Sequence, residues 1–275
     1  MNFAAHPLDT WVLYLGALLV VSSAVLAWRL AMATAPRSTM ALSLHDVALA
    51  VLALGIALRW SRIGHGPFLS LFEVLASSVV SLGLAWRVAA LRLPALGESA
   101  PPALSLLALM GTWLLVAGSG DTLLPPTYEM PILWVHVALG KIFLGCAFVA
   151  TGLAGVLLAR RSARGGHWFR RMPADAVLDR IAWRFMLAAL VFESLMLIAG
   201  AVWAQDAWGR FWAWDPLETW AFLTWIALSA AVHARIAWRV GPHAGALMIV
   251  AVFALAFLTF FGVPFVSLAP HKGAV

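Results

Sequence analysis

Eight stretches of this chain run for roughly twenty residues with almost no charge, and short segments rich in Arg, Pro, Gly and His separate them. A helix needs about 20 mostly apolar residues to cross a bilayer. By that measure the spans fall at approximately Thr10–Ala31, Leu42–Trp60, Phe68–Ala90, Ala103–Ala117, Ile132–Ala159, Ile181–Ala204, Pro216–Trp238 and Ala244–Leu268. The fourth is short. Without it the number of spans would be odd and the C-terminus would change sides. The pattern predicts an all-α polytopic membrane protein of about eight transmembrane helices. With no repeat, low-complexity tract or linker, residues 1–275 read as a single domain.

Charge sets the orientation. If the tryptophan-rich segment between helices six and seven faces outward, the inner loops and span ends hold Arg29, Arg37, Arg87, Arg92, Arg160, Arg161, Arg164, Arg170, Arg171, Arg180, Arg184, Arg235 and Arg239. The outer side then holds only Arg59, Arg62, Arg210 and Lys272. That is a strong positive-inside bias, and it places both termini on the extracytoplasmic side. Composition agrees, with 63% hydrophobic and 11% charged residues, against about 25% charged in soluble domains. The net charge of +6 does not point to nucleic acid, because arginines at inner loop ends account for it. Cys146 is the one cysteine, so the chain can form no internal disulfide or CxxC redox pair. No basic region precedes the first apolar run, which therefore reads as a retained span rather than a cleaved signal.

Trp203-Ala-Gln-Asp-Ala-Trp208-Gly-Arg210-Phe-Trp212-Ala-Trp214-Asp215-Pro216-Leu-Glu218-Thr-Trp220 is the segment with chemical character. Asp215, Pro216 and Glu218 have the layout of a helix start: an N-cap, proline at the first helical position, and a glutamate that can reach back to the cap. Trp208, Trp212 and Trp214 crowd the connection just before it. An interfacial aromatic belt spreads tryptophans over many helix ends; their concentration here suggests a shaped platform for a large, flat, apolar ligand.

W-G-R-F-W-A-W-D-P-L-E-T-W resembles the WWD motif of the haem-handling proteins of cytochrome c biogenesis, closest to the CcsA/ResC type of the System II pathway. The resemblance implies haem b (iron protoporphyrin IX) as the bound group, and Trp208, Trp212, Trp214 and Asp215 as part of its site. It also implies a ResB/CcsB-type membrane subunit and an apocytochrome c with a CxxCH segment as partners. The expected location is a bacterial plasma (inner) membrane, although a thylakoid membrane fits equally.

Eight histidines are available. His136 sits about 6 Å below the outer edge of the fifth span, at 1.5 Å per residue, and His271 follows the last span on the same side. Both can approach the tryptophan segment, and imidazole is a common axial ligand of haem iron. In the resemblance, W-x-H-V at Trp134–Val137 matches the first outer histidine and His271 the second by position, although Ala269-Pro270-His271-Lys272-Gly273 departs from the usual local pattern. The plain alternative for His136 is an interfacial imidazole bonded to a backbone carbonyl. His233, about 26 Å further along its helix than Pro216, matches an inner haem ligand. Its partner would be a second subunit, or else His45, which also lies at an inner helix end. Gly64-His65-Gly66-Pro67 with Glu73 resembles another family segment, for which a turn-stabilising or haem-edge role fits better than iron ligation.

Arg210 is the first candidate for a propionate clamp, with Lys272 also near the outer site. Lys141 and Glu193 fall at similar depth in neighbouring spans and are expected to pair, because intramembrane charges are costly alone. No residue has the character of a general acid or base, so catalysis would belong to a holocytochrome c synthase complex. A b-type electron-transfer subunit using His45 and His233 is the alternative reading, and a small-molecule transporter a more distant one.

Overall fold

The computed structural model describes residues 6–33, 39–66 and 68–263. Every regular element among them is helical. In chain order these are α1 (Leu8–Met32), α2 (Thr39–Ile63), α3 (Leu71–Arg92), α4 (Ala100–Val116), α5 (Pro131–Ala159), α6 (Ala163–Trp168), α7 (Asp175–Trp208), α8 (Pro216–Ala237) and α9 (Pro242–Phe257). Eight helices are long and apolar enough to cross a membrane, so the chain is a multi-pass membrane protein, as the hydrophobic pattern predicts.

The boundaries differ where local chemistry overrides hydropathy. A 3-10 segment, Pro94–Ser99, leads into α4, and the fourth apolar span becomes Leu96–Val116, 21 residues. The shortness expected there disappears because Pro101 and Pro102 are tolerated in the first helical turn. α7 runs for 34 residues, about 51 Å at 1.5 Å per residue, well beyond an apolar core of about 30 Å. It thereby absorbs Trp208, which the sequence reading placed in the connection. Gly209 ends it in the left-handed conformation (φ 73°) and donates its N–H to Gln205 O at 2.9 Å. The last span is Pro242–Gly262, with α9 continuing into a π-helical turn, Leu258–Gly262. The remainder of the expected span to Leu268, and Arg37, Pro67, His271 and Lys272, lie outside the described residues.

The chain divides into two compact units, Met1–Leu123 with Ala159–Met172, and Leu124–Leu158 with Pro173–Val275. In the first, α1 packs on α2 and α4, and α3 on α2 and α4. Gly16 and Gly55 let α1 and α2 approach closely, since a Cβ on Gly16 would stand 2.6 Å from the Leu52 side chain and one on Gly55 2.7 Å from Leu13. α3 opens with a complete capping box: Ser70 Oγ accepts the Glu73 N–H at 3.2 Å and Glu73 Oε2 accepts the Ser70 N–H at 3.2 Å.

In the second unit α5 supplies much of the core. Its Phe143 meets Phe260 at 5.9 Å and its Phe148 meets Phe253 at 6.1 Å between ring centroids. α7, α8 and α9 pack on one another. Thr224 and Thr259, both fully buried, join α8 to the π-helical turn hydroxyl to hydroxyl at 2.9 Å. The unit therefore holds the C-terminal end of α7 and the N-terminal end of α8, between which the tryptophan segment hangs.

Candidate functional site

The connection from α7 to α8 is only residues 209–215 long, and both of its ends are pinned. Asp215 is buried and caps α8, accepting the Glu218 N–H at 2.9 Å, with Pro216 at the first helical position. A cap of this kind is worth about 1 kcal/mol. The reciprocal half of the predicted capping box is replaced: Glu218 Oε2 accepts from Ala213 N at 2.7 Å instead of from the cap itself. Trp214 causes the change. Its φ of 59° is rare for a bulky residue and locally strained. That left-handed turn carries the Ala213 N–H over the helix start. It also leaves the Trp214 ring 71% exposed.

Two groups of rings build the site. Trp203 is the centre of the first and was left out of the ligand set read from the sequence. It is 2% exposed and donates Nε1–H to Thr127 O at 2.9 Å. Trp208 lies on it at 4.8 Å, Tyr128 meets it edge-on at 5.5 Å, and the His136 ring lies nearly parallel to it, 22° and 6.3 Å away. Burial pushes the Tyr128 phenol above its usual value, so it stays a neutral hydroxyl. Trp212 belongs to the second group, edge-on to Trp214 at 5.7 Å and to Phe222 at 6.0 Å. Phe222 stacks on Trp225, whose Nε1–H donates to Ser194 Oγ at 2.8 Å. Trp212 Nε1 is buried without a hydrogen-bond acceptor among the described residues. Trp208 and Trp212 are therefore shaped by partners on α7 and α8 as well as by each other's proximity in sequence.

His136, half-buried on α5, places Nδ1 2.8 Å from the Met196 carbonyl oxygen. A carbonyl only accepts, so Nδ1 carries the proton and Nε2 of the neutral ring carries the lone pair. The bond to a backbone carbonyl that the plain reading of His136 expects is therefore present. The chemistry on hand is an imidazole held by a carbonyl, two groups of indole rings and Arg210, which is exposed.

Comparison with known proteins decides the family. Residues 11–271 match the family model described as cytochrome C assembly protein. The chain belongs to the cytochrome c assembly family. Proteins named cytochrome c biogenesis protein CcsA are similar to it: one from Prochlorococcus marinus (strain MIT 9312) is 29% identical over 254 residues, covering 81% of this chain and 80% of that protein. Another from Gloeobacter violaceus (strain ATCC 29082 / PCC 7421) is 34% identical over 117 residues, 42% of this chain and 35% of that one. Among solved structures, the one titled cytochrome c heme lyase CcmF shares the fold with a TM-score of 0.69 at 17% identity. That match covers 98% of this chain and half, 50%, of the other. The role of this assembly-family chain thus lies in cytochrome c maturation.

The remaining residues of the family resemblance separate clearly. His233 is exposed on α8. His45 is fully buried in the first unit, edge-on to Trp86 at 5.8 Å, and a porphyrin there would have to open that packing. His65 stabilises a turn, with Nδ1 3.0 Å from Gly66 O and Nε2 2.8 Å from Thr122 O. Glu73 is an ion-pair partner of Arg59 at 2.8 Å.

The expected Lys141–Glu193 pair does not form. Glu193 is fully buried and neither carboxylate oxygen has a hydrogen-bond partner among the described residues. Depth brings the two residues level, but Gly140 is the α5 position that meets Met196 of α7. Lys141 is the next position, about 100° further round that helix. A buried acid without a partner costs stability. Glu193→Gln is therefore expected to leave the thermal midpoint unchanged or raise it, and Glu193→Lys to lower it whether or not Lys141 is also replaced by Glu. A full rescue by that charge swap would restore the pair.

Proposed function

We propose that this chain binds haem b as cargo and presents it on the extracytoplasmic face for covalent attachment to apocytochrome c. The observation that carries the reading is the His136 cluster. An imidazole with its tautomer fixed by Met196 O lies beside Trp203, which in turn meets Trp208 at the end of α7 that leads into the tryptophan connection. His136 is the first axial ligand and His271 the second. Arg210 receives a propionate, and Trp212 and Trp214 with the α8 cap at Asp215 hold the platform in shape. His233, on the exposed face of α8, serves an inner tier completed by a ResB/CcsB-type subunit.

In this reading the arginine asymmetry sets both termini and the tryptophan connection outside a bacterial plasma membrane. Attachment is an addition: each CxxCH thiol adds S and H across one haem vinyl group, forming a C–S and a C–H bond without an external oxidant. The chain contributes position and axial ligation, and the synthase is the complex.

The test is a pyridine haemochrome spectrum of the detergent-purified chain, made with and without a ResB/CcsB-type subunit and a reporter cytochrome. Haem b in the parent, its loss in His136→Ala and failure of reporter maturation are the expected results. A colourless parent that leaves reporter maturation intact would overturn the reading. Haem that depends on His233 alone would favour an electron-transfer subunit.

A further inference from the structure

Three positions on one face of α7 hold the His136 ring. Met196, Gly200 and Trp203 recur at the i, i+4, i+7 spacing that aligns side chains on a helix. Met196 O takes the Nδ1 proton at 2.8 Å. Gly200 is the floor: a Cβ there would stand 2.8 Å from both Cε1 and Nδ1 of His136, a distance at which the ring must move. Trp203 lies along the ring face and is itself tied to Thr127 O. Any residue larger than glycine at 200 would push the imidazole off the carbonyl and off the indole together.

The same layout recurs in the first unit, where His45 sits over Gly83 with Trp86 three residues on. There the imidazole is fully buried, so that copy is core packing. What distinguishes His136 is that its ring is half-exposed and bonded to a backbone carbonyl.

We infer that Gly200 is a positioning residue for the His136 ligand, acting by leaving the space in which Met196 O and Trp203 orient the ring. The inference rests on the haem reading for its consequence but not for its geometry, and the two fail separately. The experiment is a double-mutant cycle on the full chain in detergent, with Gly200→Ala made alone and with His136→Ala. Thermal midpoints are measured without added haem, and haem content and Soret spectra after loading with hemin.

Gly200→Ala is expected to lower the midpoint when His136 is present and not when it is alanine, since the clash partner is then gone. On loading, Gly200→Ala alone should lose about 10- to 100-fold in haem affinity, the range for an orienting contact behind a metal ligand. Free imidazole, which needs no such seat, should restore its low-spin spectrum. A midpoint change that is the same in both backgrounds overturns the inference. So does haem affinity within about twofold of the parent with an unchanged spectrum. A parent chain that takes up no hemin, while the midpoints still couple, overturns the proposed function and the ligand role, and leaves only the packing.

Discussion

Replacing His136 with glycine is expected to strip haem from the outer tier by more than about tenfold, beyond the loss from disturbing its orientation, and millimolar imidazole is expected to restore it. The ring is only half-buried, near the start of α5, about 7.5 Å along the helix from Pro131. On the proposed orientation, solute from the outer aqueous phase reaches the gap that glycine leaves. Removing the side chain also frees Met196 O to receive the N–H of the incoming imidazole, so the replacement ligand meets the same acceptor as the original. His233→Gly provides the internal comparison. It lies about 26 Å further along α8 than Pro216, on an exposed face of a helix that crosses the membrane, and should regain far less haem under the same treatment. Haem content by pyridine haemochrome and the Soret maximum are the readouts. Equal recovery at both depths would remove the two-tier arrangement.

How much of this was legible beforehand follows from what kind of signal each part sends. Hydropathy reports the medium a segment sits in, so the eight spans could be read directly, and Asp215-Pro216 marked the start of α8 because cap chemistry is local. The end of α7 could not be read that way. Its last turns leave the apolar region while remaining helical, and nothing but Gly209 announces the stop. Trp203, at the end of the expected span and grouped with the tryptophan segment, was not seen as the helical position one turn from Gly200, facing His136. The signal that could have found it is the Met196–Gly200–Trp203 spacing. Lys141 and Glu193 show the converse error, since depth from a span end fixes height but not rotation about the helix axis.

Arg59→Leu is the stability change expected to be largest, about 3–5 kcal/mol, the range for removing one partner of a buried ion pair. The sequence counts Arg59 and Arg62 only as exceptions to an inner excess of arginine. In the fold they are neutralised in place. Arg59 is fully buried, with Nη2 2.8 Å and Nε 2.9 Å from Glu73 Oε1, and Nη1 3.5 Å from Asp9. It also donates to Gly120 O at 2.7 Å and Ser119 O at 3.3 Å, fastening the segment that follows α4 to α2 and α3. Arg62 bridges Asp9 at 2.8 Å and Asp121 at 2.7 Å. Leucine would leave Glu73 buried opposite no cation and two carbonyls without donors, while Arg59→Lys keeps the charge but cannot fill the planar fork. The expected order of thermal midpoints is parent, Arg59→Lys, Arg59→Leu, with Arg59→Leu/Glu73→Leu recovering part of the loss because the stranded carboxylate is gone. Acid should act on the rim of the same cluster: hydrogen bonding from Arg62 holds the Asp121 carboxyl below the usual carboxylate range. Its contribution is then fully present above that range and lost as the pH falls through the lowered value. A double variant no more stable than Arg59→Leu would show that Glu73 is not what the guanidinium protects.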